Sequence, residues 1–178
     1  MEYIILDRVY FREAINTLYW IKYKYNNCRK GHVIYIESSL LVRLNRFGNR
    51  AGGLSPKSLT EYAIFGDTIY SPCEGIVTEA VDGFPDQVPH NVDTSNPAGN
   101  HVVMECKGIR VFIAHMMNGR LTVKQGEHVK DGQEIGKVGN SGNTIEPHLH
   151  IHAERKNGEP VPILFNGRFL SMNDLFRE

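Results

Sequence analysis

Short runs of β-branched residues, separated by glycine at close intervals, are the feature that most restricts the fold of this chain. From about residue 60 onward, the runs 75–81, 101–106 and 109–114 are rich in Val and Ile and shorter than a typical helix. Lys107-Gly108 between the last two predicts a hairpin turn. Further along, very short strands joined by tight turns are indicated by glycines at 126, 132, 136 and 139. The pattern predicts a mainly antiparallel β-sandwich or barrel with little helix.

The two ends of the chain are less distinctive. Residues 1–27 mix Tyr, Ile, Leu and Val with scattered charges, which suits either a helix over 11–25 or two short strands. Near the C-terminus, Ser171 or Asn173 can cap one short helical turn. We therefore expect an N-terminal extension over residues 1–58, packed on a β domain that spans residues 59–178.

Two connections between the predicted strands differ in length and composition. Residues 82–100 are rich in Pro, Asp and Asn and form a long loop, a type of segment that often carries function. Residues 139–143, Gly-Asn-Ser-Gly-Asn, predict an exposed turn. No Lys-Ser or Lys-Thr follows this turn, so it is not a phosphate-binding loop.

Charge and cysteine content exclude several classes of protein. Lys plus Arg and Asp plus Glu number 20 each, so no net charge draws the chain to nucleic acid. No apolar run reaches the roughly 18–20 residues that a transmembrane helix needs. Charged residues interrupt the N-terminal apolar stretch, unlike a signal peptide. The three cysteines, Cys28, Cys73 and Cys106, allow at most one disulfide, which mildly favours a reducing compartment. Oligomeric state is not indicated.

Three histidines at alternate positions carry the strongest chemical signal. His148, His150 and His152 are separated by aliphatic residues and follow Pro147. Residues two apart in a strand share a face, so three imidazoles are expected in a row on one side. Imidazole is the commonest protein ligand for zinc. The sequence therefore predicts a metal site or a catalytic site on this strand.

The remaining histidines differ in their surroundings. His115 ends the strand 109–114. A lone histidine there would usually be structural, but the triple-histidine strand in the same chain favours a functional role. His101 and His128 are expected at the surface. His90 and Asp93 lie in the long loop and can reach a site, although loop histidines usually have no special role.

Five segments together resemble the lysostaphin/LytM-like zinc metallopeptidases, in family order and spacing. They cover about half of the chain and read G-x-x-I-Y-S-P-C-x-G-I-V from residue 66, G-N-H-V-V from 99, I-A-H over 113–115, V-K-x-G-Q-x-I-G-x-V-G-N-S-G from 129, and P-H-L-H from 147. The resemblance implies the duplicated hybrid β-fold of that family, with zinc on the floor of a groove. It implies that His150 binds the zinc and that His115 and His148 are unligated catalytic histidines. The implied activity is cleavage of peptide cross-links in bacterial peptidoglycan, at the cell envelope or outside the cell.

The chain departs from the family where the other two zinc ligands are expected. These come from an upstream His-x-x-x-Asp-type element, and that spacing offers only Lys57 and Glu61. In a subgroup the Asp lies further upstream, before a segment that L-V-R-L from residue 41 resembles, and this places Leu40 at the Asp position. Neither lysine nor leucine is a zinc ligand at neutral pH. We predict that His32 supplies the upstream imidazole and that Glu37 replaces the carboxylate, with Glu61 as the other candidate.

Two other functions remain open at this point. Leu40 and Lys57 suit a catalytically degenerate domain that binds cell-wall peptide or a partner protein. The glycine pattern over 129–136 also resembles carriers with the related hybrid β-fold, in which His148 or His115 would accept a phosphoryl group without a metal. No lysine lies in the Met-Lys turn that a biotinyl carrier needs.

Overall fold

The computed structural model describes residues 4–6, 18–24, 27–29, 32–34, 39–165, 168–169 and 175–177, with side chains described over 41–165. In these ranges the chain forms β-strands and a single 3-10 helix of three residues, Leu59–Glu61. The strands are Ile4–Leu6 (β1), Leu18–Lys24 (β2), Asn27–Arg29 (β3), His32–Ile34 (β4), Ser39–Arg43 (β5), Thr68–Tyr70 (β6), Gly75–Val81 (β7), Asn100–Cys106 (β8), Ile109–Met116 (β9), His128–Val129 (β10), Glu134–Lys137 (β11), Leu149–Glu154 (β12), Pro160–Val161 (β13), Ile163–Phe165 (β14), Arg168–Phe169 (β15) and Leu175–Arg177 (β16).

A nine-stranded antiparallel sheet organises the fold. Its strand order is β10-β7-β8-β9-β12-β5-β2-β16, and β13 also pairs with β12. The turn between β8 and β9 is the predicted one, and both of its residues have the left-handed backbone that such a turn requires, with φ 50° at Lys107 and 83° at Gly108. Of the described strand pairs, only β1 with β14 is parallel. The prediction of a mainly antiparallel β fold with little helix is confirmed.

Strand β12 shows how the sequence divides the sheet into two faces. Leu149, Ile151 and Ala153 are at most 2% exposed and belong to one continuous apolar core. Full burial of an aliphatic side chain of this size stabilises a fold by about 1.5–3 kcal/mol. His150 and His152 alternate with these residues and therefore lie on the opposite face. Core packing thus fixes the direction in which the histidines point.

The terminal segments are strands wherever the structure describes them. Residues 18–24 form β2, so the helical alternative for 11–25 is wrong over that part, while 11–17 and 25 lie outside the described residues. Ser171 and Asn173 also lie outside them, and β16 shows that no helix occupies 175–177. Strand β5 pairs with β12 and with β2, so the N-terminal strands extend the central sheet. The proposed boundary between 58 and 59 stays a prediction.

One disulfide joins Cys73 to Cys106, with the two Cα atoms 6.1 Å apart. This separation lies in the usual range for disulfides. The bond links the segment after β6 to the end of β8, two places that are 33 residues apart in sequence. Among the described residues, no helix has the length and apolar composition needed to cross a membrane.

Candidate active site

His115, His148 and His150 meet on the face of the sheet opposite the core. One ring nitrogen from each histidine lies within 4.8 Å of the others. The ring centroids are 4.9 Å apart for His115 and His148, and 5.3 Å apart for His115 and His150. Strands β9 and β12 bring them together, because Ala114 pairs directly with His150. The structure thus places together the three histidines to which the sequence assigned catalysis and metal binding.

A β-bulge directs His115 toward this cluster. Strict alternation along β9 would place His115 on the core side with Val111 and Ile113. Between β8 and β9 the register shifts, so that Ala114 and His115 lie opposite the single residue His101. His115 adopts a left-handed backbone with φ 60°, and its N–H donates to the Ala98 carbonyl at 3.1 Å. A bulge of this kind turns a side chain to the other face, and bulges are frequent beside active sites.

Backbone carbonyls select the tautomer of two of the histidines. His115 Nδ1 lies 2.9 Å from the Ser141 carbonyl, and His148 Nδ1 lies 2.9 Å from the Glu146 carbonyl. A carbonyl only accepts, so each Nδ1 donates and each Nε2 carries the lone pair. The Thr144 hydroxyl lies 3.2 Å from His148 Nδ1 and donates to the same Glu146 carbonyl at 2.8 Å. The Nε2 lone pairs are those that would bind a cation or accept a proton.

The 139–143 segment holds the His115 partner in place and is not the exposed turn that the sequence predicted. Asn140 and Ser141 are fully buried. The Ser141 hydroxyl accepts from Asn100 N at 2.9 Å and donates to the Met116 carbonyl at 2.7 Å. The Asn100 side chain is also fully buried and donates to the carbonyls of Phe84 and Met116 at 2.8 and 3.0 Å. The prediction is wrong because polar residues in a turn need not be solvated, and here they satisfy buried backbone groups.

Two glycines permit this close packing of loops. A Cβ on Gly99 would lie 2.4 Å from the backbone of Ser141, and one on Gly142 would lie 2.5 Å from Gly99 N. Both residues also have left-handed backbones, with φ 58° and 85°. Only glycine meets both demands. The loop 82–100 therefore closes onto the segment that carries the Ser141 carbonyl.

Burial lowers the pKa values of His115, His150 and His152. Loss of solvent lowers the pKa of His115 to about 4, partly offset by its hydrogen bond to Ser141. Burial, followed by the neighbouring histidines, lowers the pKa of His150 well below its ordinary value. Burial and the Arg110 charge lower the pKa of His152 to about 4. At neutral pH these rings are therefore unprotonated bases, which is the form that binds metal ions.

The histidines form part of the wall of a cavity of about 660 Å³. His101 also lines it and has only 17% of its side chain exposed, so the expectation of a surface residue is wrong. Its ring bonds the Gly99 carbonyl and Glu79, which hold it against the sheet. No sequence pattern indicates this burial, because the bulge opposite His101 is a tertiary feature. The other lining residues are Pro97, Ala98, Phe112, Ala114, His115, Asn143, Thr144, Ile145, Glu146, His148, His150 and His152.

Glu146 is a cavity residue that the sequence did not single out. Its side chain is 4% exposed, and Arg50 Nε donates to Oε2 at 2.9 Å. Arg50 lies in the segment between β5 and the 3-10 helix, 96 residues away in sequence. A buried carboxylate paired with arginine joins the upstream segment to the start of β12. Its position directly before Pro147 and His148 was the only available signal.

Leu40 lies directly across from His150. The register of β5 and β12 pairs these two residues. Directly opposed residues in an antiparallel pair share a face, so position 40 is a natural place for a ligand beside His150. This agrees with the sequence alignment that put the family's Asp at this position. Leucine offers no donor atom there.

Of the three predicted upstream ligands, only Glu61 has a side chain within the described range. His32 lies in β4, which pairs with β3 and belongs to a separate two-stranded sheet, and its side chain is outside the described range. Glu37 lies outside the described residues altogether. Glu61 is exposed and its carboxylate accepts from the N–H groups of Lys57 and Ser58, so it caps the 3-10 helix. His32 and Glu37 therefore remain predictions as metal ligands, whereas the Glu61 carboxylate is occupied by the N–H groups that it caps.

The other candidate residues are not members of the histidine cluster. The His128 side chain is 58% exposed, and its Nε2 lies 3.5 Å from Glu74 Oε1. His90 is exposed and has a left-handed backbone with φ 71°. Asp93 accepts hydrogen bonds from Ser95 and Asn96, which orders its own loop. None of these three belongs to the group of described residues that could hold a metal ion.

The donor set fits a zinc ion. Zinc binds neutral imidazole at about 2.0–2.1 Å, so two nitrogens on one ion are at most about 4.2 Å apart. The cluster spans up to 4.8 Å, so all three rings could bind one ion only after a small movement. Binding through His150, with His115 and His148 beside the ion, requires no such movement. No described carboxylate joins the cluster, which distinguishes it from a His-Asp-His set.

A family model decides the relationship of this chain to known proteins. The model of peptidase family M23 matches residues 59–162. The chain belongs to peptidase family M23. The match spans β6 to β13 and includes His115, His148 and His150, whereas β5 and Leu40 precede it. Membership favours a peptidase ancestry over the carrier alternative.

Known relatives agree with this assignment. The chain is 29% identical over 110 residues to the peptidoglycan DD-endopeptidase ShyA of Vibrio cholerae. The aligned region covers 61% of this chain and 22% of ShyA. The chain thus matches only about a fifth of the length of that relative. Among solved structures, lysostaphin of Staphylococcus simulans has a TM-score of 0.50 at 20% identity, covering 81% of this chain and 47% of lysostaphin. Pseudoalterin, an M23 metalloprotease from the deep sea, has a TM-score of 0.51 at 16% identity, covering 89% and 78%. These two similarities concern the fold.

Proposed function

We propose that the chain is a zinc-dependent endopeptidase that cuts peptide cross-links in peptidoglycan. The observation that carries the proposal is the convergence of His115, His148 and His150 within 4.8 Å on the wall of an open cavity. Two of these rings are anchored through Nδ1 to backbone carbonyls, which presents Nε2 as the reactive nitrogen. Positioning by packed backbone of this kind is typical of catalytic groups.

His150 is the proposed zinc ligand, and His32 and Glu37 are the proposed upstream ligands. When bound, zinc supplies Lewis-acid chemistry, lowering the pKa of a water molecule and polarising the scissile carbonyl. The Nε2 atoms of His115 and His148 are placed to share the proton transfers. One histidine accepts a proton from the attacking water. The other histidine, in its protonated form, donates a hydrogen bond or its proton to the departing amine. The low pKa of His115 keeps it in the accepting form at neutral pH.

The proposed substrate and location rest on the relatives and on the disulfide. ShyA is named as a peptidoglycan DD-endopeptidase, and a peptidoglycan substrate is the extension of that name to this chain. The Cys73–Cys106 bond supports an oxidising compartment, since structural disulfides persist mainly outside the reducing cytosol. This favours the cell envelope or the extracellular space over the reducing compartment that the cysteine count suggested.

Metal analysis combined with digestion of purified peptidoglycan tests the proposal. The expected result is one zinc per chain, and release of soluble peptide fragments that stops with a chelator and returns when zinc is added. His150→Ala should lose both the zinc and the activity. Activity that survives chelation, or zinc that stays bound in His150→Ala, would contradict the assignment.

A degenerate binding domain is the second candidate, and Leu40 is the observation that favours it. The residue directly across from His150 lacks the donor atom that a ligand at this position needs. Cosedimentation with purified peptidoglycan separates the two candidates. Binding without any release of fragments at saturating zinc supports the degenerate domain, whereas fragment release supports the peptidase.

A further inference from the structure

His150 forms a ring-to-ring hydrogen bond with His152 on the same strand. His150 Nε2 and His152 Nδ1 are 3.2 Å apart. Two arrangements satisfy this contact, because either ring can donate to the other. If His150 donates, its Nδ1 has a lone pair. If His152 donates, the His150 proton lies on Nδ1 and that atom cannot bind a cation.

The position of His152 is fixed by aromatic and ionic contacts on the same face. Its ring stacks on Phe112 with centroids 4.5 Å apart and planes 10° apart. The Arg110 guanidinium lies over the Phe112 ring at 4.7 Å and donates to Glu154 at 2.7 Å. These residues form two directly opposed pairs on β9 and β12, Phe112 with His152 and Arg110 with Glu154. The stack therefore limits rotation of the His152 ring and keeps Nδ1 directed at His150.

The direction of the hydrogen bond follows from which nitrogen of His150 is available. Because Nε2 is engaged by His152, Nδ1 is the atom that His150 can offer to the cluster with His115 and His148. A neutral imidazole that binds through one nitrogen carries its proton on the other. Nε2 must then donate, and His152 Nδ1 must accept. Metal-binding histidines commonly donate their second N–H to a neighbouring acceptor in this way.

We propose that His152 is a positioning residue that accepts the proton of His150 Nε2 and thereby keeps Nδ1 of His150 ready to bind the metal. The inference rests on the proposed zinc function, because metal binding through Nδ1 sets the direction of the hydrogen bond. The tautomer is measured on the metal-free chain, independently of zinc binding. A failure of this inference can therefore be told apart from a failure of the proposed function.

Long-range proton–nitrogen NMR of the metal-free protein at neutral pH tests the tautomer directly. The expected result is a protonated Nε2 and an unprotonated Nδ1 on His150, with an unprotonated Nδ1 on His152. In His152→Leu, which removes the acceptor, the proton of His150 should distribute over both nitrogens. A His150 ring that carries its proton on Nδ1 in the wild type would overturn the inference, whether or not the chain binds zinc.

Zinc affinity by competition with a chromophoric chelator provides the second measurement. His152→Leu should weaken binding by about 10–100-fold, the usual loss for an outer acceptor of a metal-binding histidine. His152→Asn should recover most of the affinity, because its amide oxygen occupies nearly the place of the imidazole Nδ1. His128→Gln is the matched control on an exposed histidine and should bind as the wild type does.

The comparison of the two His152 variants excludes a purely structural effect. Urea unfolding of each variant shows whether affinity follows stability. Affinity that falls equally in His152→Leu and His152→Asn, or that follows the free energy of unfolding across both, would contradict the positioning role. Affinity restored in His152→Asn at unchanged stability supports it. If the wild type binds no zinc, the zinc function fails, and the NMR result alone decides the tautomer.

Discussion

The two sides of the candidate site differ in the donor side chains that the sequence places there. On the downstream side, β9 supplies His115, β12 supplies His150, and His148 directly precedes β12. Buried hydrogen bonds hold the rings of His115 and His148 by Nδ1. On the upstream side, β5 approaches His150 with Leu40, which has no donor atom. The family match covers the downstream side and starts after β5. The difference shows that buried hydrogen bonds hold the histidine cluster even though the neighbouring strand offers no donor atom opposite His150.

The largest effect is expected from substitutions on the downstream side. His148→Ala and His115→Ala should each lower the rate of peptidoglycan cleavage by about 10²-fold or more, the usual scale for lost acid–base catalysis. Zinc should stay bound, because neither residue is the assigned ligand. Rates come from fragment release at saturating zinc, and metal content from elemental analysis. Loss of zinc in either variant would show that ligand and catalyst are exchanged in this assignment.

The second prediction removes the support beneath His115. Asn100→Leu should lower the free energy of unfolding by about 1–3 kcal/mol, because the carbonyls of Phe84 and Met116 lose a buried donor. The cleavage rate should fall as well, since Ser141 depends on the same network. Asn118→Leu, on an exposed turn, is the control in urea unfolding. Equal stability of the two variants would argue against the network.

The third prediction concerns pH. The pKa values of His115 and His152 are lowered to about 4 in the folded chain, whereas an unfolded histidine has its ordinary value near 6.5. As pH falls below about 6.5 the unfolded state takes up protons first, so the free energy of unfolding decreases between 6.5 and 4 and is highest above 6.5. Between pH 7 and 5.5 each group should contribute a loss on the order of 1 kcal/mol.

Urea unfolding of the metal-free protein at several pH values measures this dependence. His115→Gln removes one of the buried rings with a lowered pKa and should flatten the curve over the same range. Stability that is constant from pH 7 to 4.5, or that rises on acidification, would be incompatible with neutral buried imidazoles.

The smallest effect is expected from substitutions on the upstream side. Leu40→Asp should tighten zinc binding by about tenfold, since a carboxylate placed across from His150 adds a charged oxygen ligand. Leu40→Asn has a similar shape without the charge and should give less. His32→Ala should weaken binding if His32 is the upstream imidazole. Calorimetry on the three variants tests the alignment, and unchanged affinity in all of them would show that the upstream ligands are elsewhere.

Much of the fold was predictable because it depends on local patterns. The alternation over 148–153, the turn at Lys107-Gly108 and the glycine spacing after residue 126 each depend on neighbouring residues, and the strands formed where they were expected. The roles of Ser141, Asn100 and Glu146 were not predictable from the sequence. Their hydrogen-bond partners lie 16–96 residues away in sequence, and only the folded chain brings them together.

The central claim is that the His115, His148 and His150 cluster is a zinc site, and the position of a bound zinc tests it most directly. Diffraction data collected on either side of the zinc absorption edge locate the ion without reference to activity. The account predicts one zinc at about 2.0–2.1 Å from a ring nitrogen of His150, inside the cavity and beside His115 and His148. A zinc held by other residues, with His150 unligated, would contradict the account.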